Sequence, residues 1–181
     1  ENTIVIFLPD NGPQQDRYNA GLRGRKSTVY DGGTRVPCFV RWPGHLTPGN
    51  AVDRVAAHID LAPTLLDACG VPKPERVAFD GVSLWPLLTD RTRADHWPDR
   101  TLFIQYHRAA VTEKFRAFSA RRQRYKLVHS DPRPGAPEPP FELFDMETDP
   151  YEQVDLAAAH PEVVDRLRSE YSRWFDDVSR T

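Results

Sequence analysis

The feature that most constrains the fold of this chain stands at its start. Thr3-Ile4-Val5-Ile6-Phe7-Leu8 is an unbroken, mostly β-branched apolar run, stopped by Pro9. A strand with one wet face alternates polar and apolar residues, and this run has no wet face. It reads as a strand buried on both faces of a parallel sheet, with covering layers above and below. At 181 residues the chain has the length of one ordinary domain or of a piece of a larger one. A first strand that demands neighbours on both sides favours the piece.

The residues just after the strand are Pro9-Asp10-Asn11-Gly12-Pro13. In open α/β sheets, ligands gather beyond the carboxyl ends of parallel strands, where side chains project into a crevice. A carboxylate beside an amide carbonyl offers hard oxygen donors, suited to Ca²⁺ or Mg²⁺ and poorly suited to zinc. Asp-Asn-Gly is equally a common turn sequence, so on these residues alone a turn and a metal site are both open. Further on, Leu22-Arg23-Gly24-Arg25-Lys26 and Asp31-Gly32-Gly33-Thr34-Arg35 place basic side chains in a glycine-bearing loop. Such groups can hold an oxyanion, Lys as a point charge and Arg as a fork, or can simply be solvated.

Composition narrows the class. An apolar share of 39% with 28% charged residues is globular, and 17 prolines argue against a plain helical bundle. The formal charge is −2 with interspersed signs, which excludes the basic face of a general nucleic-acid binder. Cys38 and Cys69 are too few for a disulfide scaffold or a structural zinc site, and both read as structural residues. No stretch approaches the roughly 20 apolar residues of a membrane span.

Beyond the long polar loop to Gly33, Val36–Trp42 reads as a strand with Pro37 near its start. Ile59–Gly70 reads as a helix with Asp60 as N-cap, Pro63 in the first turn and Leu61, Leu65, Leu66 and Cys69 on one face. A short helical turn is expected over Ser83–Leu88. From about residue 100 the texture changes to short strands at 102–106, 115–120, 125–129 and 141–145, a small antiparallel sheet interrupted by a proline-rich loop at 131–140. Val163, Val164, Leu167, Tyr171, Trp174, Phe175 and Val178 repeat on one face of a helix that Pro161 starts.

Taken together the motifs resemble a known family. Asp10-Asn11-Gly12 after an apolar strand, Leu22-Arg23-Gly24 with Lys26, Asp31-Gly32-Gly33-Thr34-Arg35-Val36-Pro37 and Arg41-Trp42-Pro43-Gly44 look like the second half of a sulfatase of the arylsulfatase type. The order continues through Asp60–Asp67, Asp80-Gly81-Val82-Ser83-Leu84 and Phe141–Pro150 with Glu152, nearly the whole chain. The resemblance implies the C-terminal part of an alkaline-phosphatase-like mixed α/β sheet with flanking helices over 1–100. Over 101–181 it implies a small antiparallel sheet packed against a C-terminal helix.

The implied chemistry is sulfate ester hydrolysis. Asp10 and Asn11 would be two oxygen ligands of Ca²⁺, and Lys26 would bind the sulfate group and offset charge on its oxygens. Asp-Asn, where many phosphoryl hydrolases of the superfamily carry Asp-His, favours a one-cation site. The family's nucleophile is a formylglycine made within Cys/Ser-x-Pro-x-Arg, and this chain contains no such motif. The formylglycine and the remaining cation ligands are therefore expected in an N-terminal half, which would be this chain's partner. Without it the chain is expected to bind Ca²⁺ weakly and to show no turnover. His58, ahead of the Asp60 helix, and His107, at a strand end, could each face a pocket as a proton donor, but nothing in the sequence positions them and neither is assigned a role. A related phosphate or phosphonate ester hydrolase, or a non-catalytic docking module, are the alternatives. The sulfate ester and the localisation are not specified by the sequence.

Overall fold

Of the apolar run at the start, Val5–Phe7 forms a strand, β1, and a wetter one than its composition suggests. The structure is a computed structural model describing residues 2–15, 18–107, 111–131 and 137–180. In chain order it continues with α1 (Asp31–Thr34), β2 (Phe39–Arg41), α2 (Leu61–Ala68), α3 (Trp85–Thr89), β3 (Leu102–Gln105), β4 (Phe118–Arg121), β5 (Tyr125–His129), β6 (Glu142–Asp145) and α4 (Pro161–Val178). These elements group into two units, Glu1–Phe7 with Phe39–Asp99 and Leu8–Cys38 with Arg100–Thr181.

In the first unit β1 pairs antiparallel with β2, Val5 opposite Arg41 and Phe7 opposite Phe39. The expectation of a parallel strand buried on both faces is corrected here. Phe7 and Phe39 are 60% and 65% exposed, their rings 6.2 Å apart. A two-stranded ribbon has no layer to cover both faces, so apolar composition alone did not ensure burial. The helix expected from Ile59 begins with a 3₁₀ turn, His58–Asp60, before α2. Asp60 does not cap α2 with its side chain. It is fully buried, and its carboxylate accepts from the Ala57 N–H at 2.8 Å and the Val82 N–H at 2.9 Å. Thr64 extends this link by accepting from the Leu84 N–H at 2.8 Å. The residues of α2 that are buried are Pro63 and Thr64, and Leu65 and Cys69 are exposed, because the loop carrying Val82 and Leu84 docks by hydrogen bonds on the Thr64 side. Cys38 is exposed too, so neither cysteine is the buried structural residue expected. A further 3₁₀ segment, Arg91–His96, had no counterpart in the sequence reading.

The second unit is an antiparallel meander in the order β3-β4-β5-β6. Successive side chains of a strand face opposite ways, and both faces of this sheet are used. Phe118, Ala120, Leu127 and Leu143 meet Val163, Leu167 and Tyr171 of α4, with Tyr171 stacked on Phe118 at 3.8 Å between centroids. The other face turns Val128 and Phe144 toward Val29 and Tyr30. The polar Lys126 and Glu142 share that second face by parity, which is why a charged residue within a buried strand meets the loop that carries the site. The amphipathic helix forms as expected, from Pro161 onward, with only Val178 of its apolar stripe exposed.

Candidate functional site

Among the described residues, the segment from Leu8 to Cys38 has no regular structure before the single turn of α1, and glycines and main-chain hydrogen bonds shape it. The Gly12 N–H donates to the Gly33 carbonyl at 2.9 Å, and the Lys26 N–H donates to the Pro13 carbonyl at 3.0 Å. The Gly32 N–H donates to the Arg23 carbonyl at 2.7 Å. Three stretches of backbone thereby lie against one another with no room for side chains between them. A Cβ on Gly12 would stand 1.9 Å from the Gly32 oxygen, and one on Gly32 would stand 2.2 Å from the Gly24 oxygen.

This contact joins the sequence-expected site residues. Asp10 and Asn11 directly precede Gly12 and Pro13 in the chain, and the Lys26 amide is bonded to Pro13. Asp10 and Lys26 are exposed and Asn11 is half-buried. The loop near Lys26 is tightly wound, with Gly24 and Ser27 both at positive φ, 82° and 72°. Ser27 there adopts a conformation that usually falls to glycine, a marker of a constrained site.

As a test of fit to a cation, the carboxylate of Asp10 and the amide oxygen of Asn11 have the hard-donor chemistry of Ca²⁺. They are two donors where that ion takes about six to eight. Among the described residues no group of three or more His, Cys, Asp or Glu is placed to hold a metal.

Both flanks of Lys26 are tied to the sheet. On one side the Arg23 guanidinium lies over the Tyr30 ring at 3.9 Å and donates to Glu142 Oε1, the Glu152 carbonyl and Tyr30 Oη, each at 3.0 Å. Tyr30 Oη donates in turn to Glu142 Oε2. Burial, then the Glu142 carboxylate, pushes the Tyr30 phenol up to about 12. On the other side Lys126 Nζ lies 2.6 Å from Asp31 Oδ1 and 2.8 Å from Glu152 Oε1. The Asp31 N–H donates to Glu152 Oε2 at 2.7 Å. Sequence reasoning assigned none of these ties. Glu152 stood in a motif without a role, and Lys126 looked like an ordinary strand residue.

Beside Ser27 opens a cavity of about 560 Å³, lined also by Gln105, Tyr106, His107, Glu113, Arg116 and Asp131. Arg116 Nε donates to Asp131 Oδ1 and Nη1 to Glu113 Oε1, each at 2.8 Å. The structure thus puts His107 on a cavity wall, with Nε2 2.9 Å from Thr112 Oγ1, whereas His58 is exposed in the other unit. Half of the proline-rich loop at 131–140 lies outside the described residues, and its Asp131 lines this cavity.

Comparison with known proteins gives the family. Residues 24–175 match the family model described as N-sulphoglucosamine sulphohydrolase, C-terminal. Human arylsulfatase A is 36% identical over 93% of the chain, which spans 37% of that relative's length. The crystal structure of Ps i-CgsB in complex with k-i-k-neocarrahexaose superposes on 94% of the chain with a TM-score of 0.78 at 24% identity, and the chain covers 36% of it. The structure of BT4656 in complex with its substrate D-glucosamine-2-N,6-O-disulfate does so over 98% with a TM-score of 0.68 at 23% identity, and the chain covers 35% of it. The ordered motifs, the glycine-packed loop, the alkaline-phosphatase-like α/β fold and these matches agree: the chain belongs to the sulfatase family, and corresponds to its C-terminal region.

Proposed function

We propose that this chain is the C-terminal portion of a sulfuric ester hydrolase, with residues 1–100 part of its catalytic α/β domain and 101–181 a small-sheet subdomain. Asp10 and Asn11 hold a divalent cation, Ca²⁺, and Lys26 binds the sulfate of the substrate. The observation that carries this reading is the main-chain splice of the two loops, Lys26 N–H to Pro13 and Gly12 N–H to Gly33. It keeps the cation ligands and the ammonium group on one rigid piece of backbone although they are about fifteen residues apart in the chain.

The partition of roles follows from the residues. Asp10 and Asn11 orient the cation, which when bound supplies positive charge to the sulfate oxygens. Lys26 adds a second fixed charge where negative charge builds as the ester bond breaks, an arrangement that needs no reorganisation during the reaction. The formylglycine nucleophile and the other cation ligands belong to the N-terminal half. The alcohol side of the ester faces the cavity beside Ser27, whose Arg116, Gln105 and carboxylates are suited to hydroxyl groups. Relatives whose structures hold k-i-k-neocarrahexaose and D-glucosamine-2-N,6-O-disulfate support a sugar on that side of the ester. The exposed apolar pair Phe7 and Phe39 on the β1–β2 ribbon is a surface for the N-terminal half to cover.

Calcium binding tests the cation assignment. Titration calorimetry of the full-length protein, this chain together with the N-terminal half, should show Ca²⁺ affinity falling at least tenfold in Asp10→Ala and less in Asn11→Ala, since a charged ligand contributes more than a neutral one. The isolated chain should bind the ion weakly. Unchanged affinity in Asp10→Ala would remove Asp10 from the site.

A further inference from the structure

A cluster of deeply buried charges beside the Lys26 loop is used by nothing in the reaction proposed above. Lys126 is 1% exposed at its side chain, Asp31 6% and Glu152 0%. Two carboxylates face one ammonium group, with the Arg35 guanidinium 4.0 Å from the outer oxygen of Asp31. Burying such a group is a poor way to gain stability, because well-packed apolar residues of the same volume do as well or better. What an ionic group of fixed geometry does supply is position.

Its connections say what it positions. Glu152 holds both flanks of the Lys26 loop: its carboxylate takes the Asp31 N–H at 2.7 Å, and its carbonyl takes Arg23 Nη1 at 3.0 Å. Lys126, fixed in the ladder between β4 and β6, holds the Asp31 and Glu152 carboxylates together. Asp31 opens the turn whose Gly33 carbonyl receives Gly12, and the next residue, Pro13, receives the amide of Lys26. Glu152 has φ of 58°, the left-handed region where a residue without glycine's freedom is strained. A strained residue that grips one loop with both its side chain and its carbonyl is placed for that grip.

We propose that Lys126, Asp31 and Glu152 form a positioning clamp that sets the location of Lys26 relative to Asp10 and Asn11. The clamp touches neither substrate nor cation, and its effect is transmitted through the backbone of residues 23–33. Its link to catalysis rests on the sulfate-binding role of Lys26. Burial pushes the Glu152 carboxyl up, Lys126 opposes this, and the neighbouring Asp31 carboxylate adds to it.

The test uses the full-length protein with an aryl sulfate as substrate, and hydrogen exchange of the same samples. Lys126→Met keeps the side-chain volume and removes the cation, and Lys126→Arg keeps the charge. Lys126→Met is expected to lower kcat about tenfold or more with KM within about twofold, because a displacement near 1 Å is enough for losses of that order. Lys126→Arg should recover part of the loss. Exchange should rise in peptides covering residues 20–35 and stay low in the β4–β5 ladder. If Lys126→Met fails to fold, Glu152→Gln takes its place with the same two readouts. Wild-type kcat with unchanged exchange at 20–35 in a folded variant overturns the clamp, and so does exchange that rises equally throughout the small sheet, the mark of a merely structural role. Lys26→Ala run alongside separates the two ideas: if it leaves turnover intact the role of Lys26 fails, while the exchange pattern still decides whether the clamp positions the loop.

Discussion

In the full-length protein, Lys26→Ala is expected to lower kcat for an aryl sulfate by about 10²–10³-fold, the usual cost of removing one fixed group that stabilises transition-state charge. The variant should fold normally. Lys26 is exposed, and the bond that ties it into the loop is made by its amide, which alanine retains. Retention of stability with loss of rate is what separates a substrate-contacting lysine from one that holds the loop. Steady-state kinetics with a thermal melt on the same sample decides it, and a wild-type rate in a folded Lys26→Ala protein would take Lys26 out of the reaction.

The second large effect is structural and comes from a residue with no side chain. Gly12→Ala places a Cβ 1.9 Å from the Gly32 oxygen and 2.8 Å from its carbonyl carbon, both backbone atoms. Backbone cannot step aside as a flexible side chain can, so the two loops must separate. The cost is expected at or above the upper end of overpacking, about 3 kcal/mol, read as a lowered Tm. Activity and Ca²⁺ affinity should fall with it, since the Gly12 contact joins the Asp10–Asn11 and Lys26 loops. Gly44→Ala is the comparison. Gly44 has φ of 81° and nothing within 4 Å of a built Cβ, so that change should cost only its backbone conformation, about 1 kcal/mol. Equal melting shifts for the two variants would mean that the packing of Gly12 against Gly32 contributes little.

How far the sequence speaks for the structure differs with the kind of information each residue carries. The strand Tyr125–His129 and the helix from Pro161 were legible to the residue, because alternation, apolar periodicity and a proline at the first turn are local signals. Asp10, Asn11 and Lys26 were legible as motifs, and the structure brings their loops together by main-chain bonds. The surroundings of β1 were not, since an apolar strand states that it wants cover without stating where the cover comes from. The buried face of α2 was missed because Thr64 docks by a hydrogen bond to Leu84, twenty residues on, and periodicity counts only apolar residues. The clamp was least legible of all. Lys126 and Asp31 are 95 residues apart, and a lysine in a strand carries no local sign that it will be buried. The available hint was the acidic residues standing within glycine and proline motifs, Asp31 before Gly32-Gly33 and Glu152 after Asp149-Pro150, where a solvated side chain has no reason to be fixed.

The central claim is that this chain holds cation ligands and the sulfate-binding lysine of a sulfatase whose nucleophile lies in the other half of the protein. The most direct measurement is hydrolysis of an aryl sulfate in the presence of Ca²⁺ by the purified 181-residue chain and, in parallel, by the full-length protein. Turnover by the full-length protein with none from the chain is the predicted result. Hydrolysis by the chain alone, or a full-length protein that cleaves phosphate esters and leaves sulfate esters intact, would contradict it.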